Sequence, residues 1–185
     1  MRKLLAIVGV LLVLPALWAT PAAADPYVNN AAIDELFEEL RVATDETEAD
    51  EISRQMWREW FAPSDPDLAT RMSVASNFIG EANLEGSLDE LNGVVADFPD
   101  YAEGWNQRAT VHFMMGNHEA SLADIEKVLA IEPRHFGALS GRVMILLGQG
   151  KHAEALRNMR AALAIHPFLR ERRLFPELAQ DVTQV

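Results

Sequence analysis

Three prolines, Pro99, Pro133 and Pro167, stand 34 residues apart. A fixed period of this length constrains the fold tightly, because it means one supersecondary unit copied along the chain. Aligned on the prolines, the chain divides into units 68–101, 102–135 and 136–169. Over the 32 positions that end at the proline, the second and third units share eight identities, among them Arg108/Arg142, Gly116/Gly150, His118/His152 and Leu122/Leu156. The first and second units also share eight, including Asn83/Asn117, Ser87/Ser121 and Val94/Val128.

Each unit reads as two helices. Trp105, Ala109, His112 and Phe113 fall at i, i+4, i+7 and i+8, which is one face of a helix. Gly116 and Asn117 supply turn chemistry. Leu122, Ile125, Val128 and Leu129 then mark a second helix. Pro133 separates it from the next unit, because the residue before a proline is driven out of the helical region. The third unit repeats the pattern with Leu139, Val143 and Leu146, a break at Gly148, Gln149 and Gly150, and then Leu156, Met159, Ala162 and Leu163. The first unit carries Gly86 and Gly93 inside its second helix; each costs about 1 kcal/mol against alanine when exposed. One such pair cannot bury its apolar face alone, whereas stacked pairs build a continuous core.

The units resemble the tetratricopeptide repeat family, whose pattern places Trp, small residues, aromatics and a closing proline at fixed positions of a 34-residue motif. Matching positions are Trp105, Ala109, His112, Ser121, Val128 and Pro133 in the second unit, and Leu139, Val143, Leu146, Ala155, Ala162 and Pro167 in the third. Arg108 and Arg142 depart from the usual leucine, and Ile125 and Met159 from the usual aromatic. The resemblance implies an all-α fold, a right-handed helical-repeat solenoid of about three units. It also implies a non-enzymatic role. In that family the first helices of successive units line a concave groove that takes extended peptides or helices.

Carried over position by position, the implied lining is Ala69, Met72, Ser76 and Ile79, then Glu103, Asn106, Thr110 and Phe113, then Gly137, Ser140, Met144 and Leu147. Met72, Ser76, Ile79, Asn106, Thr110, Phe113, Ser140, Met144 and Leu147 are the candidate partner-binding residues. Met72, Phe113 and Met144 are adaptable apolar contacts, and Asn106 can hydrogen-bond a peptide backbone through its amide. A subset of the family clamps C-terminal carboxylates with lysines. Met72 and Ser76 stand at the matching sites, so that mode is excluded. Arg108, Arg134 and Arg142 are open to two readings, as polar anchors for a partner or as partners of acids such as Glu103 and Asp124.

Residues 25–67 read as an N-terminal helix pair, either a divergent repeat or a cap. Leu36, Phe37 and Leu40 mark one helix, and Ile52, Met56, Trp57 and Trp60 the other. The tryptophans suit core packing, given the area each buries. Residues 170–185 read as a capping helix and tail, with Leu169 and either Leu174 or Phe175 turned inward.

Residues 1–24 have the layout of a secretory signal peptide: Arg2 and Lys3, an apolar run from Leu4 to Leu17, then Ala22, Ala23 and Ala24. The run is shorter than the roughly 20 residues needed to cross a bilayer and contains Pro15. Cleavage is expected between Ala24 and Asp25, giving a protein of the bacterial periplasm with no stable membrane insertion. Without Arg2 and Lys3, 14 basic side chains face 28 acidic ones, a net charge of −14. Such a charge repels nucleic acid and anionic lipid. The chain has no cysteine, so packing alone holds it.

The sequence offers no nucleophile elbow, no phosphate-binding glycine loop and no paired-histidine metal motif. The acidic run from Asp45 to Glu51 lacks the glycine and terminal glutamate of a calcium loop, and reads as the solvated first turn of a helix. No cofactor or metal is expected. The expected partner is a protein or peptide, or else a second copy of the chain in a structural assembly whose groove is filled internally.

Overall fold

The computed structural model describes residues 24–179. Except for Ala24, the expected signal peptide lies outside the described residues, as does the tail after Ala179. The elements run α1 (Asn30–Val42), α2 (Glu46–Phe61), α3 (Pro66–Gly80), α4 (Leu84–Asp97), α5 (Ala102–Met114), α6 (His118–Ile131), α7 (Phe136–Gly148) and α8 (His152–Ile165). A 3₁₀ turn over Arg170–Leu174 and a short α9 (Pro176–Ala179) follow. No strand occurs among the described residues. The architecture is the all-helical repeat that the 34-residue period predicts.

The helix limits carry the period residue by residue. The second helices begin at Leu84, His118 and His152 and end at Asp97, Ile131 and Ile165. The first helices end at Gly80, Met114 and Gly148. Only α3 begins early. Asp65 caps it by accepting from the Asp67 and Leu68 N–H groups at 2.9 and 3.0 Å, and Pro66 takes the first helical position, where its missing N–H costs nothing.

The turn inside each unit is also repeated. Asn83 N–H donates to Phe78 O at 2.8 Å, Asn117 to His112 at 2.8 Å and Lys151 to Leu146 at 2.9 Å. These bonds close a Schellman turn whose pivot must have a positive φ. The pivots are Ala82 at 57°, Gly116 at 79° and Gly150 at 72°.

Small residues bring the paired helices together. Ser87 Oγ donates to Ala75 O at 3.0 Å, and Ser121 Oγ to Ala109 O at 2.7 Å. The third unit has the fully buried Ala155 and Val143 at these places and closes through apolar contact alone. Between units, Arg108 Nη1 reaches Asn92 at 3.0 Å and Arg142 Nη2 reaches Glu126 at 2.5 Å. These are the same repeat positions used twice.

Three apolar clusters hold the stack. Leu68, Met72, Ala75, Leu91, Val94, Tyr101 and Val111 join the first unit to α5. Ala102, Ala109, Ile125, Val128, Ala138 and Ile145 join the second unit to the third. The largest cluster joins the N-terminal pair to the other end of the stack. Ile33, Leu36, Phe37 and Leu40 of α1 and Ile52, Met56 and Trp60 of α2 pack with Phe136, Leu139 and Val143 of α7 and Met159 of α8. Yet α2 makes little contact with α3, its sequence neighbour. The pair therefore folds across the stack instead of extending it by one more step.

The C-terminal segment completes this seam. Leu169 and Phe175 are buried in the same cluster, while Leu174 is exposed. Arg173 Nη2 bonds both Glu46 carboxylate oxygens at 2.9 and 2.6 Å, and Arg170 pairs with Asp50. Asp45 caps α2, accepting from Thr47 and Glu48 N–H at 2.9 Å. The acidic run thus opens a helix and supplies the ion partners of the last turn.

Candidate functional site

The site begins with the way α2 seats on α5 and α7. A tryptophan needs a backbone close enough to touch, and Gly137 provides one. A Cβ added there would lie 2.5 Å from Trp57 Cη2. Trp57 meets Phe136 edge-on at 5.5 Å, and Trp60 stacks on the His135 ring at 4.2 Å. Tyr101 Oη donates to the Trp60 carbonyl at 2.6 Å.

Beneath this aromatic layer lies a buried polar network. His135 Nδ1 accepts from the Ala138 N–H at 3.1 Å and so caps α7. The neutral ring must then carry its proton on Nε2, which lies 3.1 Å from Glu103 Oε2. Glu103 also accepts from Asn106 Nδ2 at 3.0 Å and Gln107 Nε2 at 2.7 Å. Every one of these bonds satisfies a group that would be costly to bury alone.

Beyond the seam the helices part into a cleft of about 410 Å³. Ser53 and Trp57 of α2 form one wall, Asn106 and Thr110 of α5 another, and Ser140, Gly141 and Met144 of α7 a third. His166, Phe168 and Arg170 close the end. A smaller hollow of about 100 Å³ continues between α5 and α7, lined by Phe113, Gly141 and Met144 among others. These two side chains are 40% and 39% exposed, high for large apolar groups on a packed helix face. The Ser140 hydroxyl is buried without a partner among the described residues.

His166 holds the rim. Its Nδ1 accepts from the Phe168 N–H at 3.2 Å and its Nε2 lies 2.8 Å from Ser53 Oγ, which donates to the Ala49 carbonyl at 2.7 Å. Burial pushes the imidazole pKa below its ordinary value, and the hydrogen bond to Phe168 fits the neutral ring.

Of the nine candidate partner-binding residues, Asn106, Thr110, Phe113, Ser140 and Met144 converge on this cleft and its continuation. Met72 does not. It is 2% exposed and belongs to the core of the first unit. Ser76 is exposed and Ile79 half-buried on α3, away from the cleft lining, and Leu147 packs against the large cluster. The Asn106 amide is not free at both ends, since its Nδ2 is committed to Glu103.

The α2 wall had no signal in the repeat because it lies outside units 68–169, and the rim had none because the second unit has Glu132 and Arg134 at the places of His166 and Phe168. The arginines resolve to internal pairs. Arg108 binds both oxygens of Asp124 at 2.8 and 2.7 Å and lies 4.8 Å over the Trp105 ring. Arg134 bonds Glu132 and Asp34 and covers the Phe37 ring at 4.2 Å. Among the described residues no cluster of three metal-ligating side chains occurs, and no helix is long and apolar enough to cross a membrane.

No protein-family model matches the chain. It is 41% identical over 86 residues to a TPR repeat-containing protein of Rhizobium etli, a match covering 46% of this chain and 42% of that relative. Among solved structures, it is similar to two crystal structures of MamA. One gives a TM-score of 0.50 at 16% identity, over 80% of this chain and 79% of that one. The other gives 0.48 at 16% identity, over 83% and 81%. The structural likeness at this identity speaks to fold alone. The 34-residue period, written into both the residues and the helix ends, gives the chain a helical-repeat, tetratricopeptide-like fold.

Proposed function

We propose that this chain is a non-enzymatic adaptor of the bacterial periplasm, holding a segment of a partner protein in the cleft between α2, α5 and α7. The observation that carries the reading is the exposure of Phe113 and Met144 at a place where five candidate residues meet. An apolar pair left open beside a closed seam is a ready anchor for a partner side chain. Ser140 and Thr110 supply polar groups within the same lining, and the polar ends of Asn106 and Glu103 are held rigid by their own network. Such a site suits a short segment and a small, transient interface.

The test uses the exported protein with a photo-crosslinking residue at Thr110, probed in periplasmic extract. A discrete crosslinked band is expected, reduced at least about tenfold by Phe113→Ser with Met144→Ser, a loss of roughly 1.4 kcal/mol or more. Circular dichroism must match wild type. A band that survives the double substitution refutes the cleft as the docking site.

A second reading has one observation in its favour. Trp57 already sits on Gly137, so the chain fills part of its own groove. On that reading the protein is a structural component of an envelope complex, and no segment crosslinks at Thr110.

A further inference from the structure

The residue placed first after the expected cleavage, Asp25, is 4% exposed. Its carboxylate accepts from the Ala102 N–H at 2.8 Å and from the Tyr27 N–H at 2.9 Å. Tyr101, which precedes α5, makes no side-chain cap, so Asp25 caps α5 from 77 residues away. Asn30 Nδ2 holds the Asp25 carbonyl at 2.6 Å. The residue is thus pinned at three points on the wall of a cavity of about 250 Å³, which Ala24, Asp34, Glu132 and Arg134 also line.

The charge balance of this cavity is incomplete. Arg134 is the cation there, and it is engaged by Glu132 and Asp34. Among the described residues the Asp25 carboxylate receives hydrogen bonds only from neutral backbone N–H groups. Burial, with Asp100 and Glu132 nearby, raises its pKa above the ordinary carboxyl value. A buried carboxylate without a counter-ion is costly. Hydrolysis of the Ala24–Asp25 amide would supply one. Water adds its hydroxyl to the Ala24 carbonyl carbon, giving a carboxylate on the departing segment. The freed nitrogen of Asp25 takes up protons and becomes an ammonium.

We propose that the Ala24–Asp25 bond is a processing site whose product completes the fold, the new α-ammonium of Asp25 seating in this cavity as the counter-ion of the buried carboxylate. The protease is one that accepts small residues at Ala22 and Ala24. The inference rests on the export reading and is independent of the cleft.

Three measurements test it. The intact mass of the full-length chain after export should correspond to a start at Asp25; any other start overturns the proposal. The chain starting at Asp25 should melt at least about 4 °C above the same chain acetylated on its α-nitrogen. In Asp25→Asn, whose side-chain oxygen can still cap α5, that gap should close. An unchanged midpoint on acetylation, or an equal drop in Asp25→Asn, would show that the ammonium does not balance the carboxylate.

Discussion

Replacing Ala82 by glycine should stabilise the protein, although it deletes a methyl group and adds chain flexibility. Ala82 pivots the α3–α4 turn at φ 57°, where the other two units have Gly116 and Gly150. A side chain in the left-handed region costs about 1–2 kcal/mol, because Cβ crowds the following carbonyl oxygen. Glycine removes that cost but widens the unfolded ensemble, which subtracts about 0.4–1 kcal/mol. The difference leaves a gain of about 0.5–1 kcal/mol for Ala82→Gly, and a matching loss for Gly116→Ala or Gly150→Ala. Contacts do not confuse the comparison, since a Cβ at Gly116 or Gly150 would meet nothing within 4 Å. Ala82 itself is exposed. Urea unfolding followed by circular dichroism reads the change as a midpoint shift at constant slope. In a domain of this size, it corresponds to roughly 1–4 °C in thermal midpoint. If Ala82→Gly is neutral or destabilising while Gly116→Ala costs nothing, the shared turn is not what sets the pivot residue.

The remaining predictions each isolate one contact. Gly137→Ala drives a Cβ into Trp57 at 2.5 Å; it should cost about 1–3 kcal/mol in urea unfolding and change the tryptophan emission. Among the described residues Arg142 Nε is buried without a partner, and Asn158 stands where the second unit has Asp124, the bidentate partner of Arg108. Asn158→Asp should therefore stabilise the third unit, by about 0.5–1 kcal/mol in the same assay. His166 has its pKa lowered in the folded chain, so below its ordinary value the unfolded chain binds a proton that the folded chain does not. Stability should fall with pH from about 6.5 downward, by at most about 1.4 kcal/mol per unit from this group. His166→Gln should flatten that slope in pH-resolved denaturation.

The repeat was legible because its signal is covalent and periodic. The prolines, the turn glycines and the apolar faces each recur at 34 residues, and the helix ends recur with them. The cleft was half legible. Thr110, Phe113 and Met144 follow from their places on the first helices, and the structure leaves all three exposed. Met72 was misplaced because the position that opens on the cleft in the second and third units is covered in the first. There the first unit packs with Tyr27 and Tyr101 in one cluster. The α2 wall was not legible at all. Its position depends on contacts between residues such as Ser53 and His166, 113 apart, and no period connects them.

The departures from the repeat are not scattered, and their placement explains how a solenoid came to hold a helix pair that does not belong to its stack. Tyr101, Ala102 and Glu103, at the start of α5, correspond to His135, Phe136 and Gly137, at the start of α7. All three of the latter touch α2: His135 stacks on Trp60, Phe136 meets Trp57, and Gly137 makes room for it. Their counterparts also serve the seam, since Tyr101 Oη holds the Trp60 carbonyl and Glu103 faces His135. The starts of α5 and α7 were thus spent on receiving α2, while their later turns kept the open face with Phe113 and Met144. Docking and exposure divide the same helices along their length. A partner that binds the open half must therefore approach beside α2, not in place of it.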